Sequence, residues 1–163
     1  MQLRTVAVLV LVLYAHVGAA QAPDRSKALE GLRSVTVQVL FFSTQPGGAA
    51  QLDTVGLRVQ TELELKRAGI SVEQSAAATL SIAVLVVGED NGRVVASRYD
   101  VMLQERVSLA QRPATGLVLA TTWQQGGAYL SDPSDAADGI AELVHQQLAA
   151  FLNDYLTANP PRR

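Results

Sequence analysis

The sequence predicts an α+β two-layer sandwich: a mixed four-stranded sheet carrying two main helices, in the order β-α-β-β-β-α. Three observations carry this reading. Strand-like apolar patterns fill Ser34–Phe42, Thr79–Gly88 and Val94–Leu109. Two longer stretches, Leu52–Ala68 and Asp132–Thr157, space their apolar residues at helical intervals. The chain has no cysteine and is 48% apolar, so a hydrophobic core must supply its stability without disulfides.

The first 20 residues have the three parts of a secretory signal: Arg4, an apolar core over Val6–Tyr14, and the small residues Gly18-Ala19-Ala20. A helix over that core rises only about 14 Å, against about 30 Å of bilayer hydrocarbon. Cleavage after Ala20 is therefore expected, since cutting after Ala22 would place Pro23 behind the scissile bond. The expected location is periplasmic or secreted. Residues 21–159 form one domain in this reading, with 160–163 a flexible tail.

In Ser34–Phe42, Val35, Val37, Val39 and Phe41 alternate with Thr36 and Gln38, the pattern of a strand with one apolar face. Residues 43–51, including Gln45-Pro46-Gly47-Gly48, read as a loop that lacks any phosphate-binding motif. Leu52–Ala68 reads as a helix with its stripe at Leu52, Val55, Val59 and Leu63. Lys66 and Arg67 fall in its last turn. Gly69 then supplies a left-handed stop, with Ile70 folding back on Leu65.

Thr79–Gly88 is apolar on both parities, which predicts a central strand covered on both sides. Glu89–Gly92 is a turn, and Val94–Leu109 pairs back as a hairpin. Tyr99, Val101 and Leu103 mark one face; Arg98, Asp100 and Gln104 mark the other. A turn at Pro113–Gly116 leads to the last strand, Leu117–Gln124. Trp123 shares parity with Leu117 and Leu119 and is expected in the core. The final helix starts with Asp132 as N-cap, Pro133 at the first position and Asp135 at the third. Ile140, Val144, Leu148, Phe151 and Tyr155 form its stripe, and Asn159-Pro160 ends it.

Three stretches carry a resemblance: VQTELELKRAGI (59–70), ATTWQQGG (120–127) and FLNDYLTANP (151–160). In this order behind a leader they resemble a group of small secreted bacterial proteins with no assigned activity. The element order is also similar to that of periplasmic α+β domains of the LptE and TolB N-terminal kinds. That similarity implies a role in envelope assembly or transport. It supplies no catalytic residue, and the lipid-anchoring cysteine of the LptE kind is missing here.

Few chemistries fit the residues. The net charge of −2, with no basic block, argues against nucleic acid as a partner. His145 has no second histidine at ligand spacing and reads as a structural or surface residue. Asp132, Asp135 and Asp138 lack the alternating pattern of a calcium loop, and helix capping already accounts for Asp132 and Asp135. Glu62 and Glu64 diverge on their helix. No G-x-S-x-G elbow is present. No catalytic residue, cofactor or metal is expected. The reading is a non-enzymatic interaction or accessory protein, possessing no stable membrane anchor once the leader is removed. With two helices on one face of the sheet, Leu40, Phe42, Leu85, Val87, Met102 and Val118 are expected to gather on the other. That face would serve a protein partner or self-association. The alternatives are a carrier for an apolar molecule held between sheet and helices, and a hydrolase with an unrecognised site.

Overall fold

A computed structural model describes residues 25–44, 52–88, 94–112 and 116–160. The leader, the loop containing Gly47 and Gly48, the Glu89–Gly92 turn, Pro113 and the last three residues lie outside the described residues. A 3-10 turn, Arg25–Leu29, leads into strand β1 (Ser34–Ser43), helix α1 (Thr54–Arg67) and a two-residue strand β2 (Ser71–Val72). Strands β3 (Ala78–Gly88), β4 (Val95–Ser108) and β5 (Leu117–Ser131) follow, then helix α2 (Ala136–Ala158).

The architecture is α+β with a mixed sheet, but the sheet has five strands rather than four, in the order β2-β1-β3-β4-β5. The extra strand pairs parallel to β1 through Ser34–Ser71 and Val35–Val72. Two residues are too few to show a period, so β2 carries no pattern in the sequence. Strands β1 and β3 are parallel; β3, β4 and β5 form an antiparallel meander. On the helix-covered face, Val35 and Val37 of β1 and Leu80, Ile82, Val84 and Val86 of β3 are buried with Val95, Tyr99, Val101 and Leu103 of β4. Ile140, Val144, Leu148, Phe151 and Tyr155 of α2 pack into the same core, as their spacing predicts.

Helix α1 ends as expected. Gly69 takes φ +89°, its N–H donates to the Lys66 carbonyl (3.1 Å), and the Ile70 N–H donates to the Leu65 carbonyl (2.9 Å). Ile70 and Leu65 are both buried. This is the paired hydrogen bonding of a Schellman stop.

The buried face of α1 differs from the expected one. Leu57, Thr61 and Leu65 face the core, while Val55, Val59 and Leu63 are exposed. At 100° per residue each trio spans about 80°, and the two lie on opposite sides of the helix. With apolar residues on both sides, the amphipathic signal cancels. The Thr61 hydroxyl disguises the buried stripe, because it satisfies itself by donating to the Leu57 carbonyl (2.8 Å).

The start of α2 also differs. Asp132–Asp135 is a turn closed by the Asp135 N–H on the Asp132 carbonyl (3.1 Å), and the helix begins at Ala136. Asp135 is the N-cap and makes no side-chain capping bond. Proline's fixed φ suits the second position of a turn as well as the first turn of a helix, so Pro133 cannot distinguish the two.

Strand β5 is longer than expected and contains a bulge. Leu103 pairs with Trp123 and Gln104 with Thr121, which leaves Thr122 as the extra residue. Strand parity inverts there. Trp123 is buried as expected, but Leu117 and Leu119 are exposed. The strand continues through Gly126 and Gly127 to Ser131. Gly126 is needed for close approach: a Cβ there would collide with the Tyr99 carbonyl and lie 2.7 Å from the Asp100 Oδ1.

Candidate functional site

Residues 59–70, 120–127 and 151–160 carry contacts that hold the fold together. The first contains the Schellman stop. The second contains the bulge and Trp123. The third contains Phe151 and Asp154, the partners of Trp123, and Asn159. Trp123 packs edge-to-face on Phe151, with ring centroids 5.1 Å apart at 81°. Its Nε1–H donates to Asp154 Oδ2 (2.9 Å), so the buried indole donor is satisfied. Asn159 ties the end of α2 to the start of the domain. Its Oδ1 accepts from the Gly31 N–H (2.8 Å), and its Nδ2 donates to the carbonyls of Leu29 (2.8 Å) and Tyr155 (3.0 Å). Leu29 is thereby seated in the core.

Among the described residues no helix lies over the second face of the sheet. The pairing register places Leu40 beside Ala83, Phe42 beside Leu85, Met102 beside Ser81, and Val87 beside Ala96. Leu40, Phe42, Leu85, Val87 and Met102 thus share the uncovered face. Leu40 and Met102 are half-buried among their neighbours; Phe42 (57%), Leu85 (40%) and Val87 (43%) are exposed. Val118 is not part of this set. It pairs with Val107 on the helix-covered side, because the Thr122 bulge inverts parity before Trp123. Leu130 takes its place: it pairs with Ala96 beside Val87 and is 71% exposed. It lies beyond Gln124, where the sequence predicts the strand to end. The diglycine that resembles a turn is the misleading signal.

One end of the open face is therefore apolar, with Phe42, Leu85, Val87, Ala96 and Leu130. Its middle is polar. Arg98 Nε donates to Asp100 Oδ2 (2.8 Å), and Gln124 Nε2 donates to Asp100 Oδ1 (2.9 Å). The hydrogen bond from Arg98 to Asp100, then the carboxylate's charge, holds the fully exposed guanidinium above its ordinary pKa. The far end is apolar again at Leu117 and Leu119.

Several of the described titratable groups lie near the helices. His145 Nδ1 lies 3.7 Å from Glu64 Oε1 where α1 and α2 meet, and both side chains are about three-quarters buried. Beside them is a cleft of about 300 Å³ lined by Leu52, Asp53, Gly56, Gln60, Asp138 and Ala141. The Asp53 carboxylate is engaged by the Gly56 N–H (2.8 Å) and caps α1. Glu62 pairs with Arg58 (2.9 Å) on another side of the helix from Glu64, so those two carboxylates do diverge. Among the described residues no group of three or more His, Asp or Glu side chains is placed to hold a metal. No described helix is long and apolar enough to cross a membrane.

No protein-family profile matches the chain, and no curated protein matches it in sequence. Two solved structures are similar at 14% identity and a TM-score of 0.32 each. One is described only as an uncharacterized protein, with 77% of this chain and 90% of that one covered. The other is lipoprotein GNA1162 from Neisseria meningitidis, with 79% and 99% covered. Neither likeness bears on what this chain does.

Proposed function

We propose that this protein is a small non-enzymatic interaction or accessory module of the bacterial periplasm or secreted fraction, working in envelope assembly or transport. It docks a protein partner on the uncovered face of its sheet. The observation that carries this reading is the exposed cluster of Phe42, Leu85, Val87 and Leu130 on three strands of one sheet. A large apolar side chain in water contributes little to folding; removed from water by a partner it contributes roughly 25 cal/mol per Å². The adjacent Arg98–Asp100–Gln124 group supplies the polar rim that orients such a contact. The leader-like first 20 residues support export.

The carrier alternative has less support. The space between sheet and helices is filled by Trp123, Phe151, Leu29, Leu65, Ile82 and Leu148, all buried. The test is site-specific photo-cross-linking in living cells, with the probe at Leu85 and, as control, at Val55 on the exposed side of α1. A discrete adduct from Leu85 alone, lost when Phe42 and Val87 are changed to Gln, supports the reading. No adduct, or the same adducts from both positions, contradicts it. A broad hydrolase screen of the purified protein tests the non-enzymatic half; turnover abolished by His145→Ala would overturn it.

A further inference from the structure

The outer edge of the sheet points to a second copy of this chain. Strand β5 is the longest strand, with 15 residues, and it is the terminal strand of the sheet. Its inner edge pairs with β4 along its whole length. Among the described residues no backbone group outside β4 hydrogen-bonds to it, although the 3-10 turn touches it. Edge strands are ordinarily protected by charges, proline, shortness or a bulge. At the opposite edge, β2 has two residues and pairs only with Ser34 and Val35, so beyond Val35 the outer edge of β1 has no strand partner among the described residues. The edge at β5 is longer: LVLATTWQQGGAYLS contains no charged residue and no proline, and among the described residues its protections are the bulge at Thr122 and the contact of the 3-10 turn.

We infer that β5 pairs antiparallel with β5 of a second copy, joining two five-stranded sheets into one. Three features favour an identical strand as the occupant. An uncharged strand meets no like charge when it pairs with itself. The exposed leucines lie at both ends, Leu117 and Leu119 at one and Leu130 at the other, all on the open face. A two-fold axis near Trp123 and Gln124 sets Leu117 of each copy opposite Leu130 of the other, and Leu119 opposite Ala128. The joined sheet is also continuous with the Phe42–Leu85–Val87 cluster, because Leu130 borders Val87 across Ala96. Isologous pairing of this kind closes on itself and leaves no free β5 edge.

This pairing uses the edge of the sheet and does not depend on the docking role proposed for its face. Sedimentation velocity over a range of concentrations tests it in the purified protein. The wild type is expected to dimerise. Leu117→Lys and Leu130→Glu singly should each weaken the dimer roughly tenfold or more, since two symmetry-related contacts are lost at once. Together in one chain they should restore it, because each new Lys then faces a new Glu across the axis while the two are too far apart within a copy to interact. Phe42→Gln with Val87→Gln, on β1 and β3, should leave the dimer intact even where the pair abolishes the cross-linked adduct. A wild type that stays monomeric, a dimer indifferent to Leu117→Lys, or a double variant no better than the singles would each overturn the inference. Circular dichroism of every variant confirms that the monomer still folds.

Discussion

Replacing Gly69 by Val isolates the cost of a left-handed stop from every other effect of a side chain. At φ +89° an L-residue is strained by about 1–2 kcal/mol, and a β-branched one sits at the upper end. A Cβ built on Gly69 meets nothing within 4 Å, so no steric clash adds to that figure. Relaxing the strain would require undoing the hydrogen bonds of Gly69 and Ile70 and lifting Ile70 away from Leu65, which costs more than the strain itself. The chain should therefore keep its fold and lose about 1–2 kcal/mol, equivalent to about 3–8 °C in Tm for a domain of this size. Ala68→Val, one residue earlier at φ −79°, is the control for adding the same side chain to ordinary helical backbone. Chemical denaturation of the two variants measures the difference. A Gly69→Val protein as stable as Ala68→Val would refute the assigned end of α1.

Three further outcomes are expected. Asp154→Ala leaves the buried Trp123 Nε1–H without its acceptor and should cost about 1–3 kcal/mol, with a shift in tryptophan fluorescence as the indole environment changes. Asn159→Ala removes three hydrogen bonds that bind Leu29, Gly31 and the end of α2 together; amide exchange at Gly31 should accelerate well before the rest of the domain opens. On α1, Val59→Gln should be neutral within about 0.5 kcal/mol, whereas Leu57→Ala should cost about 2–4 kcal/mol by thermal melts, and the reverse order would restore the stripe that the sequence favours.

Legibility in the sequence followed the physics of each element. Strong, redundant signals were readable: the period-two alternation of β1 and β4, the all-apolar β3, the long stripe of α2, and the Lys-Arg-Ala-Gly-Ile stop of α1. What was hidden depends on tertiary contacts or on residues that fit two conformations. Thr61 is buried because its hydroxyl bonds its own helix, which no hydropathy pattern records. Gly126-Gly127 lies within a strand because Tyr99 and Asp100 occupy the space a side chain would take. Strand β2 exists only because the α1 stop delivers Ser71 beside Ser34.

Five of the six residues expected on the open face, Leu40, Phe42, Leu85, Val87 and Met102, do share it, because they lie on uninterrupted strands where parity holds. Val118 was misplaced because of the bulge, and Leu130 was missed because the strand was expected to end at Gln124. A bulge shifts parity by one, and the shift at Thr122 is recorded only in the pairing with β4. The same bulge puts Leu117 and Leu119 on the open face and so gives β5 the two apolar ends on which self-pairing depends.

The claim on which the account rests is that the second face of the sheet is uncovered in the folded monomer. The most direct measurement is the unfolding free energy of Leu85→Gln beside that of Leu80→Gln, two residues of one strand only five positions apart. Leu80 is fully buried under the helices and Leu85 is 40% exposed on the other face. The account predicts a loss of about 1 kcal/mol or less for Leu85→Gln and of several kcal/mol for Leu80→Gln. Comparable losses of several kcal/mol in both variants would show that the face is interior core, and would contradict it.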